Sequence, residues 1–155
     1  MWGFESLPRH EGVSIRAVRK LSDAVFPLTI AAFVMDLVHD LDHIRRGNYS
    51  PVPVRAGGFL ALAGGILMVT LAVRRNRFAV PFACFYGLAT GAGLIAVHVL
   101  PHWSLFSDPL TTYRVDALSW GILGLNIAVD LALGVAAAVA LLETSAKSIE
   151  ASAAL

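Results

Sequence analysis

Four long apolar runs, set apart by short clusters of charge, constrain this chain more than any other feature. A helix needs about 20 residues to cross a hydrocarbon core ~30 Å thick, and the runs fall at roughly 24–43, 54–73, 78–100 and 115–142. The connections are short, so the spans form one domain over 23–143, preceded by a segment over 1–22 and followed by a tail over 144–155. The chain therefore reads as an all-α integral membrane four-helix bundle whose first partner is the lipid bilayer. Composition agrees: 57% of the 155 residues are hydrophobic and 15% charged, with a mean hydropathy of +0.69, where a soluble domain carries about 25% charge. Net charge is +1 and the arginines flank the runs, which leaves no basic stripe to follow phosphates and excludes a nucleic-acid partner. Cys84 is the only cysteine and lies inside an apolar run, so no disulfide framework exists and the thiol reads as a small buried hydrophobe.

Orientation follows from lysine and arginine near the span ends, because positive loops stay cytoplasmic. An even number of spans puts both termini on one side. That side holds Arg9, Arg16, Arg19, Lys20, Arg74, Arg75, Arg77 and Lys147, against Arg45, Arg46, Arg55 and Arg114 on the other. The excess places both termini, and with them the segment 1–22 and the tail 144–155, in the cytoplasm. The opening segment lacks the apolar centre and cleavage site of a signal peptide and is expected to stay on the protein. It suits either a short interfacial helix bearing Val13, Ile15 and Val18 or a disordered stretch.

In this orientation the first and third spans both end on the outer side, and they carry His39, His43, His98 and His102, four of the five histidines. Ionisable groups near hydrocarbon normally face the bundle interior or a wet cavity and mark a functional site. Asp36, His39, Asp40 and His43 stand at i, i+3, i+4 and i+7, on one helix face. Two histidines four apart can reach one metal ion, with carboxylates joining them or orienting the imidazoles. Asp42 points elsewhere and reads as an exposed partner of Arg45 and Arg46. His98 and His102 repeat the four-residue spacing, but Pro101 between them should kink or end the helix, and His102 equally suits an interfacial aromatic layer beside Trp103. The stretch from Ser104 to Pro109 is rich in turn formers and is expected to cap the bundle mouth, with Asp108 a ligand or a turn residue.

The fourth span adds a polar line of Asp116, Ser119, Asn126 and Asp130, within about 80° of one another on a helix. Asp130 is near mid-membrane and is expected to bond to Asn126, as part of an interhelical clasp or of a proton or ion route towards the histidines, which Tyr86 and Thr90 would extend. Small residues at four-residue spacing, Gly57, Ala61 and Gly65 on the second span and Ala83, Gly87 and Gly91 on the third, read as packing faces. Gly93, Gly121, Gly124 and Gly134 read the same way.

Several families share parts of this pattern. His39, Asp40 and His43 resemble the zincin helix motif His-Glu-x-x-His, with Asp40 where the general base stands. The histidine boxes of membrane desaturases are also similar, although four histidines are too few for their two irons. The site resembles that of the ceramidase and progestin-receptor-like membrane hydrolases, through His98, His102, His39 and Asp40, without their seven helices. Over nearly its whole length the chain resembles small four-span bacterial membrane proteins, through Asp42-His43-Ile44-Arg45-Arg46-Gly47 and through His102-Trp103 with Phe106-Ser107-Asp108-Pro109. That resemblance implies a four-helix fold in a bacterial inner membrane and supplies no activity.

The expectation is therefore a transition-metal site at the outer end of the bundle, with His39, His43, His98, His102, Asp36 and Asp108 as candidate ligands. Imidazole and carboxylate donors without thiolate suit several first-row ions, zinc first among them. Such a protein binds or handles metal. A metal-dependent hydrolase of a lipid-like ligand, with Asp40 as general base, and a b-type haem protein with bis-histidine ligation are the alternatives.

Overall fold

The structure, a computed structural model, describes residues 11–47, 50–113 and 115–153, the side chains of 11–22, 147 and 151 excepted. It is an all-helical bundle, without strands among the described residues, built from α1 (Glu11–Arg45), α2 (Val52–Val73), α3 (Ala79–Leu94) and α4 (Ala117–Ala153). Each helix contains a segment long and apolar enough to cross a membrane: Asp23–Arg45, Val52–Val73, Ala79–Val99 and Ala117–Glu150. The stretch 11–22 continues α1 and the stretch 144–153 continues α4, so the described parts of the expected terminal segments are helical extensions of the first and last spans. Nothing after Gly134 breaks α4, since the sequence that follows has no Pro or Gly. Residues 1–10, Arg9 among them, and Arg114 lie outside the described residues.

Local chemistry sets the helix ends. Gly47 adopts φ 95° and its N–H bonds to the Ile44 carbonyl at 3.0 Å; this left-handed residue stops α1, at no steric cost to a glycine. Pro51 and Pro53 open α2, where their missing N–H groups are not needed. Between α2 and α3 the chain turns through Arg75 at φ 50°, and Asn76 Oδ1 accepts the Phe78 N–H at 3.0 Å. The α-helical part of α3 gives way to a wider π turn over Ile95–Val99, and Leu100 is extended, as the residue before Pro101 must be. Asp116 caps α4, its Oδ1 accepting the Ser119 N–H at 3.0 Å.

Depth in the bundle sorts the interior. Val25, Ala32, Met68, Ala83, Tyr86, Leu133, Ala136 and Ala137 form the apolar core, mostly in the half away from the histidines. The α3–α4 contact is the closest: a Cβ on Gly87 would stand 2.5 Å from the Asp130 carbonyl oxygen and 2.6 Å from the Gly134 nitrogen. Gly91 faces Leu131 and Gly134 faces Leu88 in the same way. Gly57, Gly93, Gly121 and Gly124, expected on packing faces, have no atom within 4 Å of where a Cβ would be; their spacing says nothing of which side a neighbour occupies. α2 turns large apolar side chains outward, Phe59 and Leu60 being 74% and 75% exposed, a surface suited to lipid contact.

Gly87→Ala should accordingly destabilise the bundle by about 1–3 kcal/mol, since backbone cannot yield as a side chain does. Gly121→Ala should be near neutral. Thermal unfolding of the two variants in one detergent, followed by helical circular dichroism, measures the difference.

Candidate metal centre

The ends of α1 and α3 meet at one end of the bundle and bring three imidazoles together. The ring centroids of His39 and His43 are 4.8 Å apart, those of His39 and His98 5.1 Å, and those of His43 and His98 5.2 Å. Each ring offers a nitrogen to the common centre, all within 4.8 Å of one another, and His39 Nε2 stands 3.2 Å from His43 Nε2. Tetrahedral imidazole ligands on zinc have their nitrogens about 3.4 Å apart, close to the His39–His43 separation. His39 and His98 are buried and His43 is partly so.

The outer ring nitrogens are held. His98 Nδ1 lies 3.0 Å from the Asp108 main-chain carbonyl, which only accepts; the proton is therefore on Nδ1, and the Nε2 lone pair is free. His43 Nδ1 lies 3.0 Å from Ser50 Oγ and 3.3 Å from Arg46 Nη2. Ser50 donates its own hydrogen to Asp108 Oδ2 at 2.6 Å, so its oxygen calls for a proton on His43 Nδ1, whereas the Arg46 guanidinium, which only donates, calls for a lone pair there; the two contacts favour opposite tautomers of His43. One residue, Asp108, thus orients two histidines, one through its backbone and one through Ser50. Asp108 is buried and in place because its N–H bonds to the Val97 carbonyl at 2.9 Å and Ser107 Oγ accepts the N–H groups of Trp103 and Ser104 at 3.0 Å. Its Oδ1 is buried and has no hydrogen-bond partner among the described residues.

The remaining candidates go elsewhere. His102 is exposed, beyond the break at Pro101. Asp40 is partly buried and faces α2, its Oδ1 3.8 Å from where a Cβ on Gly58 would stand. Asp36, one turn before His39, joins a separate mid-bundle group in which its Oδ1 accepts Asn126 Nδ2 at 3.0 Å and its Oδ2 lies 2.7 Å from Tyr86 Oη. Asn126 also donates to Asp130 Oδ2 at 3.0 Å, the bond expected from the sequence. The polar line on α4 is divided between two partners. Asn126 and Asp130 meet Asp36, whereas Asp116 and Ser119 meet Arg45, whose Nη1 and Nη2 reach the Asp116 carboxylate at 2.9 Å each and whose Nη2 reaches Ser119 Oγ at 3.0 Å. The shared angular position of the four residues suggests a face that looks inward throughout, but Asp116 does not, its side chain being 51% exposed.

Asp42 does pair with both arginines, Arg45 at 2.8 Å and Arg46 at 2.9 Å, but it is buried rather than exposed, at 4%; both its oxygens are covered by the guanidinium groups it neutralises. Ser50 was not legible as a site residue, because α1 ends before it and helical spacing from His43 carries no information there. Comparison with protein-family models, with curated proteins and with solved structures finds no match for this chain.

The Arg45 guanidinium, and secondarily the Ser119 N–H, hold the Asp116 carboxyl well below the usual carboxylate range. A depressed folded-state pKa contributes stability above the unfolded pKa of about 3.9 and loses it as pH falls further. Wild type should therefore melt above Asp116→Asn at neutral pH, and the gap should close below about pH 4. Asparagine caps a helix as well as aspartate, so the comparison isolates the charge; melting curves across a pH series report it.

Proposed function

We propose that this protein binds a transition-metal ion, zinc first among the candidates, through His39, His43 and His98 at the extracytoplasmic end of a four-helix bundle in a bacterial inner membrane. The observation that carries this reading is the orientation of the imidazoles. Nδ1 of His98 is committed to the Asp108 carbonyl, which leaves its Nε2 lone pair free, and a ring nitrogen of each of His39, His43 and His98 stands within 4.8 Å of the others. Metal-ligating histidines are held in this way, the outer N–H donating to an oxygen. The donor set is nitrogen without thiolate, which suits zinc and its neighbours among first-row ions. α1 and α3 both end here, and the partial negative charge of a helix C-terminus favours a cation.

Three histidine ligands leave one position of a tetrahedron for water or a ligand, where a zinc ion would act as a Lewis acid. The geometry supports binding and handling of the ion more than hydrolysis with Asp40 as base, since Asp40 stands against α2, outside the convergent group. It also supports a bare ion more than haem. A bis-histidine haem separates its two rings by the macrocycle, and rings with centroids 4.8 to 5.2 Å apart leave no space for one.

Metal analysis of protein purified without chelator should find one ion per chain. His39→Ala and His98→Ala should each abolish it, His102→Ala should leave it, and Ser50→Ala should weaken affinity by roughly 10–100-fold. Wild-type protein that neither carries stoichiometric metal nor takes it up when offered overturns the reading. In a Cys84→Ala background, a cysteine at Ser104 should react with a membrane-impermeant thiol reagent in intact cells and one at Asn76 should not. The opposite pattern puts the histidines on the cytoplasmic side.

A further inference from the structure

Below the histidines, one hydrogen-bond count closes only if a proton is added. Tyr86 Oη lies 2.7 Å from Asp36 Oδ2 and 2.9 Å from the Ala61 carbonyl oxygen. A phenol has one hydrogen, while a backbone carbonyl and an ionised carboxylate only accept. With Asp36 ionised, one of these two oxygen pairs holds no proton, in a residue only 4% exposed, where an unmade bond is costly. Both contacts close when Asp36 carries the proton on Oδ2: the carboxyl O–H donates to Tyr86, and Tyr86 donates to Ala61. Asp36 Oδ1 still accepts one Asn126 hydrogen, and the other goes to Asp130 Oδ2.

The seat for this chain is built into α2. A Cβ on Gly65 would stand 3.0 Å from Tyr86 Oη and 2.8 Å from the Phe33 ring, and a Cβ on Gly64 would stand 2.9 Å from the Tyr86 ring. Two adjacent glycines thus admit the tyrosine to the α2 backbone. The ionisable neighbours are Asp40 on α1, Tyr86 on α3 and Asp130 on α4. α2 contributes none at this depth, its one charged residue, Arg55, being in its first turn. Among the described residues no basic side chain bonds to Asp36, Asn126 or Asp130, so no ion pair neutralises the group.

We propose that Asp36 is a proton-binding site within the membrane, whose bound proton ties α1 through Tyr86 to the backbone of α2. On release the Asp36 O–H bond breaks and the proton passes to solvent. The Tyr86 hydrogen then turns to the new carboxylate, and the Ala61 carbonyl keeps its helix bond but loses the tie to Tyr86. The site thus links occupancy by one proton to the attachment of the most outward-facing helix. It stands whether or not an ion binds at the histidines.

Infrared spectroscopy of the purified full-length chain at neutral pH tests it. A carbonyl band of a protonated carboxylic acid should be present and should move to lower frequency in D2O. Asp36→Asn should remove that component; the amide can still donate to Tyr86 and should preserve the fold. Tyr86→Phe should keep the band and shift it to higher frequency, because the carboxyl loses its acceptor. Raising the pH should erase the band in wild type. No acid band at neutral pH, or a band unchanged by Asp36→Asn, overturns the proposal. Should Asp36→Asn fail to fold, a band unmoved by Tyr86→Phe overturns it equally.

Discussion

Hydrocarbon offers no hydrogen bonds, so each polar side chain that this chain brings into the membrane must be met by another from within the bundle. An unmet group costs several kcal/mol, whereas a made interhelical bond contributes only about 0.6 to 2 kcal/mol. The asymmetry turns polar residues into registers. Asp36 meets Asn126 across 90 positions of sequence, Arg45 meets Asp116 across 71, and Ser50 meets Asp108 across 58. Sliding α1 by one residue against α4 would unpair the first two together, and the cost would fall on the buried Asn126 far more than on Arg45 and Asp116, which are half exposed. Polar pairing therefore selects one arrangement among the many that apolar helices permit.

Packing completes that selection from the other half of the bundle. Gly87 and Gly134 let α3 and α4 approach until a methyl group no longer fits between them. This close approach sets the depth of Asp130, whose backbone carbonyl is part of the contact. The same helix pair thus carries a steric constraint and a polar one within a turn of each other. α2 is placed differently, turning Phe59 and Leu60 outward and meeting the polar group only through glycines and the Ala61 carbonyl.

What the sequence shows and hides follows from the same physics. The four spans are legible because length and hydropathy suffice to define them. The pairing of His39 with His43 is legible because both lie on one continuous helix, where spacing converts directly to direction. His102 is not, since Leu100 turns extended before Pro101 and the direction of every later residue depends on the loop. On α4 the angular alignment of Asp116, Ser119, Asn126 and Asp130 can be read, but depth cannot be turned into partners. Fourteen residues of helix rise about 21 Å, and what stands opposite at each depth belongs to α1: Arg45 near the end and Asp36 farther in. Gly93, Gly121 and Gly124 mislead for a related reason, because small residues permit a close approach without supplying the neighbour.

The histidine centre is pairing of another kind. Nitrogens of His39 and His43 face each other at hydrogen-bond distance, 3.2 Å, with His98 beside them. Asp108 holds it in place by meeting His98 with its carbonyl and Ser50 with its carboxylate, so the α3–α4 connection fixes groups belonging to α1 and to the α1–α2 connection. A cluster held in this way could take one metal ion, and groups fixed in place beforehand are how a binding site gains affinity.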